Sequence, residues 1–162
     1  MTDTDTDTDT DNAPPATPAL PADDGWDDLT LPCWLPELVV TPDAMQLFMF
    51  SAVTWNRHHI HYSRDAAVRE GLPDTPVHRA LLGNYFARML GRWAGHDAAL
   101  CELSWKVHRS AFPGRPLRVL GQAEAREMRG NGSHVRISLT MLDDRGETVA
   151  SGTALLAPPR TT

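Results

Sequence analysis

Three histidines and an asparagine fall within nine residues, Thr54-Trp55-Asn56-Arg57-His58-His59-Ile60-His61-Tyr62. An imidazole with a pKa of about 6.5 can take up or release a proton at neutral pH. A carboxamide donates and accepts hydrogen bonds but stays neutral throughout. The stretch therefore has the residue types of an active-site loop built for proton transfer. Plainer accounts stand beside that one: Asn56 as the cap of a turn, and His61 as a half-buried histidine satisfied by a backbone carbonyl. His58, His59 and His61 also include ligand types for a metal, but only Asp65 lies near enough in sequence to add a carboxylate, so no metal is expected.

Such a loop needs a scaffold, and the periodicity supplies one. Between His78 and Trp93 the apolar residues Leu81, Leu82, Tyr85, Phe86, Met89, Leu90 and Trp93 share one helical face. Gly83 interrupts the run and implies a close approach by another backbone, while Gly95 serves as the C-cap. The period then changes to two. Strands are expected from Cys101 to Val107, Leu117 to Ala125, Val135 to Met141 and Val149 to Leu156, separated by the turns Pro113-Gly114-Arg115-Pro116, Gly130-Asn131-Gly132 and Asp143-Asp144-Arg145-Gly146. A helix followed by a four-stranded meander predicts an α+β domain in which an antiparallel sheet wraps the helix. Phe86, Trp93 and Trp105 read as core, and Cys33 and Cys101 as core thiols rather than a disulfide or zinc pair.

The net charge of −6 misleads, because nine of the 21 acidic residues lie in the first 30 positions and all 15 Lys and Arg lie from Arg57 onward. Residues 1–28 are polar, acidic and interrupted by proline, which predicts a disordered tail ahead of a domain over 29–162. The mildly basic remainder suits an anionic ligand but shows no basic stripe for nucleic acid. Neither a secretory signal pattern nor an 18-residue apolar run occurs, so the expected setting is cytoplasmic, away from membranes. Lys106, Arg109, Arg115 and Arg118 surround the first strand turn; a solvated edge explains them more simply than contact with a coenzyme's phosphates.

Asn56 and His61, five positions apart, together with the order of elements from Leu38 to Ala157, resemble the MaoC-like enoyl-thioester hydratases and dehydratases of the hot-dog fold. That family usually carries Asp-x-Asn-Pro-x-His. A subgroup resembling mesaconyl-thioester hydratases carries Thr-x-Asn-x-His-x-Ile-His-Tyr, and Thr54 to Tyr62 is similar to it. The resemblance implies a sheet curled around a central helix, no cofactor, and a 2-enoyl or 3-hydroxyacyl thioester of coenzyme A or of an acyl carrier protein as substrate. His61 would serve as acid and base, and Asn56 would orient water. Thr75-Pro76-Val77-His78 would enter the central helix, so His78, Arg79, Ala80 and Gly83 would lie against the thioester, with His58 as a supporting contact. Arg79 stands where the family commonly has glycine. The resemblance also implies a homodimer or a heterodimer with a related hot-dog subunit. Two other roles fit the same fold: a non-catalytic subunit supporting an active partner, favoured by Asn56 and Arg79, and a thioesterase, disfavoured because no acidic residue occurs between Leu81 and Trp93.

Overall fold

The computed structural model describes Trp26 and residues 29–95, 97–130 and 132–158. The expected tail over 1–28 lies outside these residues except for Trp26, whose buried ring packs 5.7 Å from that of Trp93. The described chain runs β1 (Cys33–Trp34), β2 (Leu38–Val40), α1 (Ala44–Thr54), a 3-10 turn (His59–His61), α2 (Arg64–Arg69), α3 (Arg79–Ala94), β3 (Ala99–Val107), β4 (Leu117–Arg129), β5 (Gly132–Leu142) and β6 (Thr148–Ala157).

Helix α3 is the axis of the fold. Its 16 residues span about 24 Å, and the residues read from the sequence as one apolar face are all buried, with Phe86 fully enclosed. Gly95 ends the helix at φ 81°, a left-handed conformation suited to a residue without Cβ. Strands β4 and β5 alternate buried and open positions, the period-two pattern of a sheet with one packed face.

All strand pairs are antiparallel, and the order is β1-β4-β5-β6-β3, with β2 also paired to β4. The meander therefore covers only β4, β5 and β6. β3, expected beside β4, crosses to the far side and pairs with β6 from Ala99↔Ala157 to Val107↔Ala150. The nine residues after Val107 give the chain enough reach for that crossing. Because β3 and β4 sit near opposite ends of the sheet and both press on α3, the sheet is curled around the helix. This is the hot-dog architecture.

The edge position of β3 explains a second departure. Cys101, expected as a core thiol, is exposed, since only Leu103, Trp105 and Val107 of β3 reach the packed interior. Cys33 is half-buried against the core, and burial raises its thiol pKa. Among the basic residues around the first strand turn, Arg118 is held by both carboxylate oxygens of Glu37 and Arg109 pairs with Glu147, in keeping with the plainer reading of a solvated edge. No helix among the described residues is long and apolar enough to cross a membrane.

Candidate active site

The loop that carries Asn56 and His61 is held at both ends. Asp43 caps α1 by accepting from the Gln46 N–H at 2.7 Å. At the other end Trp55 adopts φ 56° and ψ 30°, a left-handed conformation costly for a bulky residue. That reversal lets the Asn56 N–H reach Ser51 O at 2.9 Å. Asn56 Oδ1 accepts from the His58 N–H at 3.1 Å, and the Tyr62 hydroxyl donates to Arg57 O at 3.1 Å. Asn56 is thus a turn residue whose Nδ2 has no partner among the described residues, and it lines a cavity of about 450 Å³.

His61 reaches the same cavity from the 3-10 turn. Its Nδ1 lies 2.8 Å from Pro76 O. A carbonyl only accepts, so Nδ1 carries the hydrogen and the neutral ring presents a bare Nε2. The carbonyl contact expected of a merely structural histidine here fixes the tautomer that a base needs.

His78 lies behind His61. It is 2% exposed, and its ring stacks on that of His61 with centres 3.8 Å apart and planes inclined by 19°. Its Nε2 meets Ser51 Oγ at 2.8 Å, whereas its Nδ1 has no partner among the described residues. Burial first, and then repulsion from His61, push its pKa down to about 4. His78 therefore stays neutral behind His61.

His78 is also the N-cap of α3, with no side-chain hydrogen bond to the helix and no acidic residue in the first turn. The N–H groups of Arg79 and Ala80 therefore have no intrahelical partner and carry the positive end of the helix dipole. Arg79 and Ala80 line the cavity, with Phe50, Thr54 and Trp105 completing the wall. Trp105, expected in the core, packs against it while half-buried. Its Nε1–H donates to Arg79 O at 3.1 Å, and its flank covers Gly83.

Gly83 and His58 do not line this cavity, although the His58 ring lies edge-on to that of His61 at 6.1 Å. A Cβ on Gly83 would come within 2.4 Å of the Trp105 ring, so this glycine makes room for an indole rather than for a backbone or a substrate. His58 is exposed on the outer side of the loop, 3.7 Å from Glu70, and borders a separate hollow with Arg57, His59 and Arg69. His59 packs its exposed ring near Tyr62. The three loop histidines do not converge. The sequence reading missed Ser51, whose signal was a lone hydroxyl in an otherwise apolar run.

The model for hydroxyacyl-thioester dehydratase type 2 matches residues 33–112, which hold the loop, Ser51, His78 and all of α3. The chain is 35% identical over 120 residues to mesaconyl-C(4)-CoA hydratase of Chloroflexus aurantiacus, covering 72% of this chain. It belongs to the MaoC-like hydratase and dehydratase family. The chain spans only 38% of that relative's length. The MaoC-like fold is also seen in the MaoC-like dehydratase from Rhodospirillum rubrum, at TM-score 0.72 and 17% identity over 85% of this chain and 97% of that one. The ChsH1-ChsH2 complex from Mycobacterium tuberculosis gives 0.71 and 20% over 81% of this chain and 98% of that one.

Proposed function

We propose that this MaoC-like protein adds water reversibly across the double bond of a 2-enoyl thioester carried by coenzyme A or an acyl carrier protein. The observation that carries this reading is His61, which lines a cavity together with Asn56 and the open end of α3 while Pro76 O holds its Nδ1. His61 Nε2 takes a proton from water as the water oxygen bonds to the β-carbon, and the electron pair of the double bond moves onto the thioester as an enolate. The N–H groups of Arg79 and Ala80 stabilise the enolate oxygen. The imidazolium then returns its proton to the α-carbon, giving the 3-hydroxyacyl thioester and neutral His61. Asn56 Nδ2 donates to the water oxygen and leaves a water hydrogen directed at His61. The reverse sequence is dehydration.

Hydrolysis of the thioester is the weaker reading. No carboxylate lines the cavity among the described residues, so an acidic base for that reaction is missing. A supporting, non-catalytic role draws on Arg79 in place of the family's glycine and on the exposed apolar side chains Met45, Phe48, Met49, Val53 and Trp55 on and beside α1. That apolar surface and the open edge of β3 suit a second hot-dog unit, so the working form is taken as a dimer of this chain or a pair with a related subunit. Incubating the protein with an enoyl-CoA in ¹⁸O-water tests the chemistry. Labelled 3-hydroxyacyl-CoA supports hydration, whereas free coenzyme A with labelled fatty acid supports hydrolysis.

A further inference from the structure

Gly83 stands inside the 16-residue helix α3, where a glycine costs about 1 kcal/mol against alanine. What it admits is the indole of Trp105. Three atoms of the six-membered ring lie within 2.8 Å of the place that a Cβ on Gly83 would take, so the ring rests directly on the helix backbone. The indole is also latched, because its Nε1–H donates to Arg79 O at 3.1 Å, one helical turn back. A bulky side chain from β3 is thus fitted into a notch in α3 and held there by a directional bond.

That notch adjoins the site. Trp105 is half-buried and lines the cavity that holds Asn56 and His61, with Phe50 and Ala80 supplying further apolar wall. An acyl tail leaving the reacting carbons is apolar and packs against such a wall. Toward the core its way is closed by Leu82 and Phe86, both buried on the packed face of α3. The seam between α3 and β3 remains, and the indole fills it. One turn beyond Gly83, on the same side of the helix, stands only the small side chain of Ala87, so closure of the seam at this point depends on Trp105.

We propose that Trp105 sets the length of acyl tail that the cavity admits, as a plug between α3 and β3 that a smaller side chain would open. This inference rests on the acyl-thioester reading of the cavity, but its test does not require turnover. A plug differs from a residue that merely stabilises the fold: removing the indole admits longer tails, and refilling the same notch from the helix side excludes them again.

The test is calorimetric binding of butyryl-CoA and octanoyl-CoA, saturated thioesters that cannot be hydrated, to the full chain, to Trp105→Ala, to Trp105→Val, and to the same two variants carrying Gly83→Leu. Circular dichroism establishes which are folded, and valine, a strand former, serves if alanine at position 105 disrupts β3. Wild type is expected to bind butyryl-CoA about tenfold or more tightly than octanoyl-CoA, the scale on which a closed pocket rejects surplus methylenes. The Trp105 variants are expected to bind octanoyl-CoA as tightly as butyryl-CoA or more so, and Gly83→Leu is expected to restore the wild-type order. Wild-type affinity that does not fall with chain length, discrimination that survives loss of the indole, or a Gly83→Leu addition that leaves octanoyl-CoA binding unchanged would overturn the proposal. Binding of neither thioester would reject the acyl-thioester reading and the proposal with it. Chain-length selection that follows residue 105, without hydration of any enoyl-CoA, would retain the plug and reject the hydratase reading.

Discussion

His78 lies flat against His61, ring centres 3.8 Å apart, with its own Nε2 on Ser51 Oγ. The stack makes one imidazole the support of the other. His61 cannot tilt out of the Pro76 carbonyl bond without displacing a buried ring, and His78 stays neutral beside it because burial and His61 both oppose its charge. The arrangement divides labour between two residues of one type.

Stability should fall on mild acidification because of His78. Its folded pKa of about 4 lies below the ordinary 6.5. Between these values the unfolded chain binds a proton that the folded chain does not, so stability is full above pH 6.5 and declines as pH falls toward 4. The loss approaches about 3 kcal/mol at the lower limit. Urea titrations across this range should show the slope in wild type and a flatter one in His78→Gln.

Removing the Ser51 hydroxyl should destabilise the protein out of proportion to its size. Ser51→Ala leaves the buried His78 Nε2 without its partner, a loss of about 1–3 kcal/mol. A urea midpoint unchanged from wild type would show that the hydrogen bond contributes nothing.

Gly83 and Trp105 should behave as a coupled pair. Gly83→Ala places a methyl within 2.4 Å of the indole, which predicts a loss of about 1–3 kcal/mol. In Trp105→Ala the same methyl has room. A thermal-melt double-mutant cycle should therefore show Gly83→Ala to be much less harmful in the Trp105→Ala background.

These residues mark how far the sequence could be read. Helix α3 and the long strands were legible because their burial is one-sided, which leaves a period. Helix α1 was not: Met45, Phe48, Met49 and Val53 are apolar yet exposed, so no face stands out in its sequence. β1 and β2 hold two and three residues, too few to show alternation. In the site, Asn56 and His61, expected together from type and spacing, line one cavity. The Pro76 carbonyl that sets the His61 tautomer carries no side-chain signal, and the Trp105–Gly83 contact joins residues brought together by the crossing of β3. His58 lies edge-on to His61 with ring centres 6.1 Å apart, and its contact with Glu70 at the C-terminal cap of α2 had no sequence signal because α2 itself was not foreseen.

Asn56 should tolerate a carboxylate better than an apolar side chain. Asn56→Asp keeps an acceptor for the His58 N–H and can still hold water, whereas Asn56→Leu removes both functions. Steady-state hydration of an enoyl-CoA should fall by about 10²-fold or more in Asn56→Leu and markedly less in Asn56→Asp. Equal losses in the two variants would assign Asn56 to the fold of the loop alone.

Proton transfer is proposed to run through His61 Nε2. It is tested most directly by following the enoyl-thioester absorbance band of crotonyl-CoA and of a dicarboxylic enoyl-CoA with wild type and His61→Ala, each shown to be folded. The band is expected to disappear with wild type for at least one substrate, at a rate lower by about 10²–10⁴-fold in His61→Ala. Undiminished hydration by the variant would contradict it.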